Sequence, residues 1–490
     1  MINPVVVPGL STEWHIAAQR RRLMLLLALT VLASVGLARL VLAVEFLSVV
    51  VLLVGIGAAA IAWRPLVGLC VAYGLDLLFE MGGLDPLMAP GRYLHGTLGG
   101  TAGLTGVIAS PLELLLVLIC LVWLAQGLVR GRLDFRGGRL RWPMLLFCLA
   151  LTFGMVRGPL GGGDPYIAFW EGRFLYYVVI CYFLATNLVR TRQHVATLIT
   201  LTVLPTGLFA IEGVYRRIAL VDTGQLGTVR EYYYSHEDVI FLGTVLLVVL
   251  AQQIFGASPR QRVLGALCVP VVIYTLLATE RRAGYISLLV GFLAFSAVLF
   301  AIKRKAFFLI AVPLLLGSAI YLPLFWNNTG MMGQPARAIR SLYEPDPRDA
   351  ASNYARDLEK INIRATISAN PILGVGFGHE YLFVVSVPDI SFWDLWRYET
   401  HANVLWVWLK TGTLGFALFW VLMGTAIAWA AHCAKTLRLP ETRIFAVLAL
   451  VGIITTLVFC YVDLGFTAGR VPIFLGTIMG TLGVLDQIHE

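Results

Sequence analysis

The chain is poor in charge: only 13% of its 490 residues are Asp, Glu, Lys or Arg, while 59% are hydrophobic and the mean hydropathy is +0.82. That scarcity excludes a soluble domain of this length and implies a multi-span membrane protein. The seven cysteines lack C-x-x-C spacing and fall inside or beside apolar runs, so no disulfide and no metal site is expected. Low-complexity tracts and internal repeats are missing. No small-x-small cleavage site ends the first apolar run, which reads as a signal anchor and not as a removable leader. The formal charge of +9 is dispersed over short connections and not clustered with aromatics, which argues against nucleic acid and for topology and lipid head groups.

What is present is a succession of apolar runs of roughly 18 to 22 residues, each able to cross the hydrocarbon as a helix. They lie near 23–43, 46–63, 65–80, 105–129, 142–156, 173–189, 195–213, 237–255, 262–279, 283–301, 306–324, 403–430, 442–461 and 471–486. The expected fold is an all-α polytopic bundle of about fourteen transmembrane helices. Every second connection is basic, from Arg20-Arg21-Arg22 through Arg64, Arg130 to Arg141, Arg190 and Arg192, Arg260 and Arg262, Lys303-Arg304-Lys305, to Lys435, Arg438 and Arg443. By the positive-inside rule these connections and both termini are cytoplasmic.

One long connection on the outer side, 325–400, carries Trp326, Trp393 and Trp396 at its ends. It divides the chain into helices over 1–324, an extracytoplasmic loop that caps the bundle, and helices over 401–490. Within the loop, Tyr354, Leu358, Ile361 and Ala365 recur at helical spacing, predicting an amphipathic helix from Asn353 to about Ala369, stopped by Pro371. Arg356, Lys360 and Arg364 share another stripe of it, facing either a phosphate or water.

Against the charge gradient, Arg216, Arg217, Arg230, Arg281 and Arg282 fall on the outer side. Each can be an interfacial residue snorkelling at a helix end; as a group they suggest a site for an anion. Arg281 and Arg282 occupy a connection so short that they sit at the membrane boundary, where an ionisable residue faces protein or a watery cavity. One of them can pair with Glu280, leaving the other guanidinium for bidentate phosphate recognition.

Gly374-Val375-Gly376-Phe377-Gly378 is not a dinucleotide-binding turn, because a helix and not a strand precedes it; it reads as a tight turn where backbone approaches a helix or ligand. His401 and Asn403 open the next helix, whose dipole is expected to lower the proton affinity of His401 and leave it neutral as a base. The bland alternative is an interfacial histidine. Lys410, in the same apolar run, is either a functional buried cation or the mark of a kink.

Over roughly 173–430 these residues resemble the O-antigen ligase and polymerase superfamily of membrane glycosyltransferases. Four elements stand in that family's order: a polar stretch with an arginine entering a helix (Arg230 to Leu242), a Thr-x-Ser-Arg-Gly-like element (Thr279 to Gly284), an arginine followed by Pro-x-Leu-Gly-x-Gly-x-Gly (Arg356, then Pro371 to Gly378), and a histidine-asparagine helix start running to Gly415-Phe416. Departures are Arg281 where the family has serine, Ala402 between His401 and Asn403, and Tyr234-Ser235-His236 in place of Asn-Pro-Asn. The resemblance implies a polyprenyl diphosphate-linked glycan as donor, a glycan or glycolipid as acceptor, and inverting transfer on the outer face of a bacterial cytoplasmic membrane, with no metal or other cofactor. It assigns His401 as the base and Arg282 as catalytic, with Arg281, Arg230, Arg217, Arg356 and Asn403 holding substrate; Arg217 competes with Arg230 for one role. Ligase and polymerase remain open, as does a lipid-linked glycan flippase from another class.

Overall fold

A computed structural model describes residues 55–80, 89–101, 108–131, 134–224, 234–391 and 393–488. The chain divides into two units at Gly68. In the first, the described residues 55–68 are helical apart from Arg64. The run expected at 23–43 lies outside the described residues, and that at 46–63 is described only from residue 55.

The second unit is all-helical, and no strand occurs among the described residues. Helix α1 (Pro65–Leu78) is short and apolar, followed by two brief helices, α2 (Ala89–His95) and α3 (Leu98–Thr101). Then come α4 (Pro111–Val129), α5 (Arg141–Leu160), α6 (Pro165–Leu188), α7 (Arg192–Tyr215), α8 (Asp238–Phe255), α9 (Pro259–Ala278), α10 (Arg282–Ile302) and α11 (Arg304–Phe325). Beyond the long connection lie α14 (Asn403–Thr436), α15 (Pro440–Cys460) and α16 (Arg470–Val484), and the connection itself holds α12 (Gln334–Arg340) and α13 (Pro347–Ala369). Among the described residues ten helices, from α4 to α11 with α14 and α15, are long and apolar enough to cross a membrane.

Local chemistry explains several starts. Ser110 and Glu113 close a reciprocal capping box on α4, and Asp164, Thr191 and Ser258 cap α6, α7 and α9. Helix α13 begins six residues before the expected Asn353, because Asp346 caps it and Pro347 occupies the first turn. Its buried face also differs from expectation. Tyr354 and Ile361 are exposed, whereas Asp349, Glu359, Asn362, Ile363, Thr366 and Ile367 turn inward. A mixed stripe faces the protein here, its polar members meeting charges and backbone groups while Ile363 and Ile367 join Tyr381, Ala402 and Leu409 in an apolar cluster.

The basic connections gather at one end of the bundle. Arg139 bonds Asp486 beyond α16, Arg136 and Asn187 exchange bonds, Lys303 donates to Ile254 O, and Arg443 lies over Phe255. The opposite helix ends carry Asp238, Arg282, Asn403 and Arg470. Between them α16 packs on α6 through Gly476 and Gly480, where any Cβ would strike the backbone of Val178 or Tyr182.

The glycine turn at 374–378 closely approaches helices. Gly374, Gly376 and Gly378 all have φ between 68° and 84°, which only glycine adopts cheaply. Val375 and Gly376 donate to the carbonyls of Leu409 and Lys410, and Phe377 N–H donates to Gly154 O. Those α14 carbonyls are free because Gly412, at φ 67° and ψ −178°, interrupts the helix. Lys410 therefore does mark a kink. Its Nζ is 2.7 Å from Glu171 Oε1, both side chains fully buried, and it also donates to His379 O, while Glu171 accepts the Gly378 N–H.

Lys410→Met should leave Glu171 buried without its cation and cost about 3–5 kcal/mol. Adding Glu171→Gln should recover most of that, read as unfolding midpoints in detergent; a double variant no more stable than the single would contradict this account of the kink.

Candidate active site

Where the turn between α9 and α10 meets α13, residues 387–390, His401 and the turn between α15 and α16, the bundle encloses a cavity of about 370 Å³. Five of the seven residues singled out from the sequence line it: Arg217, Arg281, Arg282, Arg356 and His401. Arg230 lies outside the described residues. Asn403 is buried beneath the cavity, where its Oδ1 accepts the N–H groups of Gly465, Phe466 and Thr467 and its Nδ2 donates to Thr400 O. It shapes the α15–α16 turn and does not touch the cavity. Arg216 also lies elsewhere, at 2% exposure, paired to Glu80 at 2.7 Å and Glu212 at 2.9 Å.

The cavity holds more charge than the sequence reading foresaw. Arg337 from α12, Arg348 and Asp349 from α13, and Asp463 from the α15–α16 turn line it too. Among the described lining residues are six arginines and four carboxylates, a formal surplus of two positive charges with the histidines neutral. Arg337 and Arg348 had a usable signal, since they fall in the connection that the charge gradient assigns to the same side as Arg282. Asp463 had a weaker one: a lone acid in a short turn between apolar runs.

Carboxylates set the arginines in place. Asp349 stands 3.4 Å from Arg282 Nε and 2.8 Å from Arg337 Nη2, joining α10, α12 and α13, and Asn353 Oδ1 accepts from Arg282 Nη2 at 3.1 Å. Asp463 takes His236 at 2.8 Å and Arg356 at 3.3 Å, tying α13 to the last turn. Burial opposes its ionisation, but His236, Arg356 and Arg281 overcome that and hold its carboxyl far below the usual range. Glu280 does not pair with either neighbouring arginine as anticipated; its partner is Arg217, at 3.2 Å. Arg281 donates to Tyr234 O.

Glu359 arranges His401. Its carboxylate accepts the His401 backbone N–H at 3.1 and 3.2 Å and lies 3.2 Å from Nδ1. With Nδ1–H directed at the carboxylate, Nε2 is left with its lone pair for the cavity. The expected loss of proton affinity is reversed. Burial alone would lower the pKa of His401, but the hydrogen bond and charge of Glu359, aided by Asp463, raise it above 6.5. The helix dipole acts more weakly because Ala402, and not His401, is the N-cap. Trp393 stands edge-on to the imidazole, ring centroids 6.3 Å apart.

Fold and cavity together define a polytopic helical membrane protein with a cation-lined cavity and a carboxylate-supported histidine at one end of its bundle. Residues 266–420 match the family model described as O-antigen ligase, and over that segment the chain is similar to this family of membrane glycan ligases and polymerases. No curated protein matches the chain. The matched segment runs from α9 through α14 and so contains Arg281, Arg282, Arg337, Arg356, Glu359 and His401.

Because Glu359 raises the His401 pKa, base function should fade as pH drops through that raised value, and Glu359→Gln should move the fading to lower pH. Titrating ¹⁵N-labelled histidine in both proteins checks this; an unchanged His401 midpoint in the variant would remove Glu359 from the account.

Proposed function

We propose that the protein transfers a glycan from a polyprenyl diphosphate donor to an acceptor hydroxyl, with the cavity on the extracytoplasmic side of the bacterial cytoplasmic membrane. The observation that carries this reading is the charge of the cavity. A diphosphate esterified at both ends bears two negative charges, and the described lining has a surplus of two positive ones. Val221, Ala278 and Ala283 add an apolar rim at the membrane boundary, suited to a ligand with an anionic head and a hydrocarbon tail. A cavity for a nucleotide or a free sugar would not need that combination.

In the proposed reaction the acceptor hydroxyl loses its proton to His401 Nε2 as its oxygen bonds to the anomeric carbon. The bond from that carbon to the diphosphate oxygen breaks with inversion. Arg281, Arg282, Arg217 and Arg356 take up the charge that develops on the leaving group, in a partly desolvated site where fixed donors act most strongly. Glu359 stabilises the imidazolium that forms, without taking the proton itself. Asn403 acts at one remove, through the turn that carries Asp463. We assign the connection 325–400 as a cap on this site, with helices over 1–324 and 401–490 forming its base.

The ligase form is favoured by the family match, and the polymerase form differs only in using a second lipid-linked glycan as acceptor. Purified protein given an undecaprenyl diphosphate oligosaccharide, with and without an acceptor lipid, separates the two: a ladder from donor alone means polymerase, a single step requiring the acceptor means ligase. Arg282→Ala and His401→Ala should each lower turnover by about 100-fold or more. Turnover within a few-fold of the parent in both variants would sink the mechanism, and donor binding without product would favour a flippase.

A further inference from the structure

The four cavity carboxylates are not equivalent. Asp349 bridges two arginines, Asp463 holds an arginine and a histidine, and Glu359 holds His401 by side chain and backbone; their side chains are 5%, 3% and 6% exposed. Glu280 pairs with Arg217 and is 16% exposed. It is also the only non-glycine residue with positive φ, 53°, among the described residues. A glutamate gains nothing from that conformation, which glycine or asparagine adopts at lower cost, so the strain is offset here by what the carboxylate contacts. Its partner is similarly placed: Arg217 sits in a π-helical turn, Arg216–Val221, of the kind found at functional sites. Two costly backbone conformations thus meet in one ion pair on the cavity wall.

We propose that Glu280 is a product-release residue, whose carboxylate competes with the leaving diphosphate for Arg217. The inference rests on the reaction proposed above. In that reaction the donor carries two negative charges. Once the glycosidic bond has passed to the acceptor oxygen and the hydroxyl proton to His401, the freed phosphate is the terminal one of a diphosphate, with the anhydride as its single substituent. With a second pKa of about 6 it leaves the polyprenyl diphosphate near three negative charges at neutral pH. A fixed arginine cavity therefore holds product more tightly than donor. Repulsion from Glu280 grows with the charge of the ligand and so falls hardest on product, and the Glu280–Arg217 pair re-forms as product departs. Asp222, 51% exposed and 3.0 Å from Arg217 Nε, keeps the arginine aligned from outside the cavity and cannot exert that repulsion.

The test compares full-length parent protein, Glu280→Gln and Glu280→Asn, with Asp222→Asn as the control. Binding of undecaprenyl diphosphate in nanodiscs is measured beside steady-state and single-turnover transfer. Asparagine tolerates positive φ and gives a second neutral variant if glutamine disturbs the turn. Both Glu280 variants should bind undecaprenyl diphosphate about tenfold more tightly, the size expected for releasing a charge-assisted bond. Their steady-state rate should fall at least about threefold further than their single-turnover rate, because release and not chemistry slows. Asp222→Asn should show no such tightening. Equal or weaker product affinity in the Glu280 variants, or equal loss in both rates, would overturn the proposal. A parent protein that binds no undecaprenyl diphosphate would instead overturn the donor assignment.

Discussion

Desolvated positive charge is the constraint around which this end of the bundle is organised. Six arginines at the rim of an apolar scaffold lose hydration that only anions or strong acceptors can replace. Asp349, Asp463, Glu359 and Glu280 supply part of that replacement and leave a surplus of two charges. Each carboxylate also joins elements distant in sequence. Asp349 gathers α10, α12 and α13; Asp463 connects α13 to the α15–α16 turn; Glu359 connects α13 to the start of α14. The segment carrying α12 and α13 is held by the same ion pairs that line the cavity, so its placement and the cavity's electrostatics cannot change independently. A ligand that supplied two negative charges would complete the balance and strengthen the closure at once.

The sequence disclosed the parts of this design that depend on local composition. Hydrocarbon thickness imposes a length on apolar runs, and the runs from 105–129 onward correspond to helices within a few residues at most ends. The positive-inside gradient has a structural counterpart in the gathering of Arg139, Arg190, Lys303 and Arg443 at the end opposite the cavity. Arg282, Arg356 and His401 could be found because they break that gradient or follow a family pattern. What stayed hidden depends on contacts between distant segments. Glu359 lies 42 residues before His401, and nothing in a helix of mixed polarity announces which acid will meet which base. The same holds for the buried face of α13: periodicity located one apolar stripe, but the helix covers charges through Asp349 and Glu359 and an apolar cluster through Ile363 and Ile367, so a mixed stripe turned inward. Asn403 illustrates a third kind of limit, since its position beside His401 suggested substrate contact while its amide satisfies three backbone donors of a turn more than sixty residues away.

Beside the cationic cavity lies a second layer of buried ionisable groups, richer in acids. Asp76, Glu80, Glu212, Glu237 and Asp238 are all within 5% exposure, as are Arg216 and Arg470, so in formal terms carboxylates exceed cations by three. Arg470 bonds Asp238 and the backbone of Asp76, and Arg216 bonds Glu80 and Glu212. A short segment stitches the layers together: Tyr234 O accepts from Arg281, Tyr234 O–H donates to Gly213 O, and Ser235 N–H donates to Glu80. Both arginines of this set are engaged by carboxylates and carbonyls, whereas the six arginines lining the cavity exceed its four carboxylates by two. An anionic ligand of the kind proposed would therefore find its counter-charge in the cavity and not among these buried groups, because only there does positive charge stand in excess of the acids that position it.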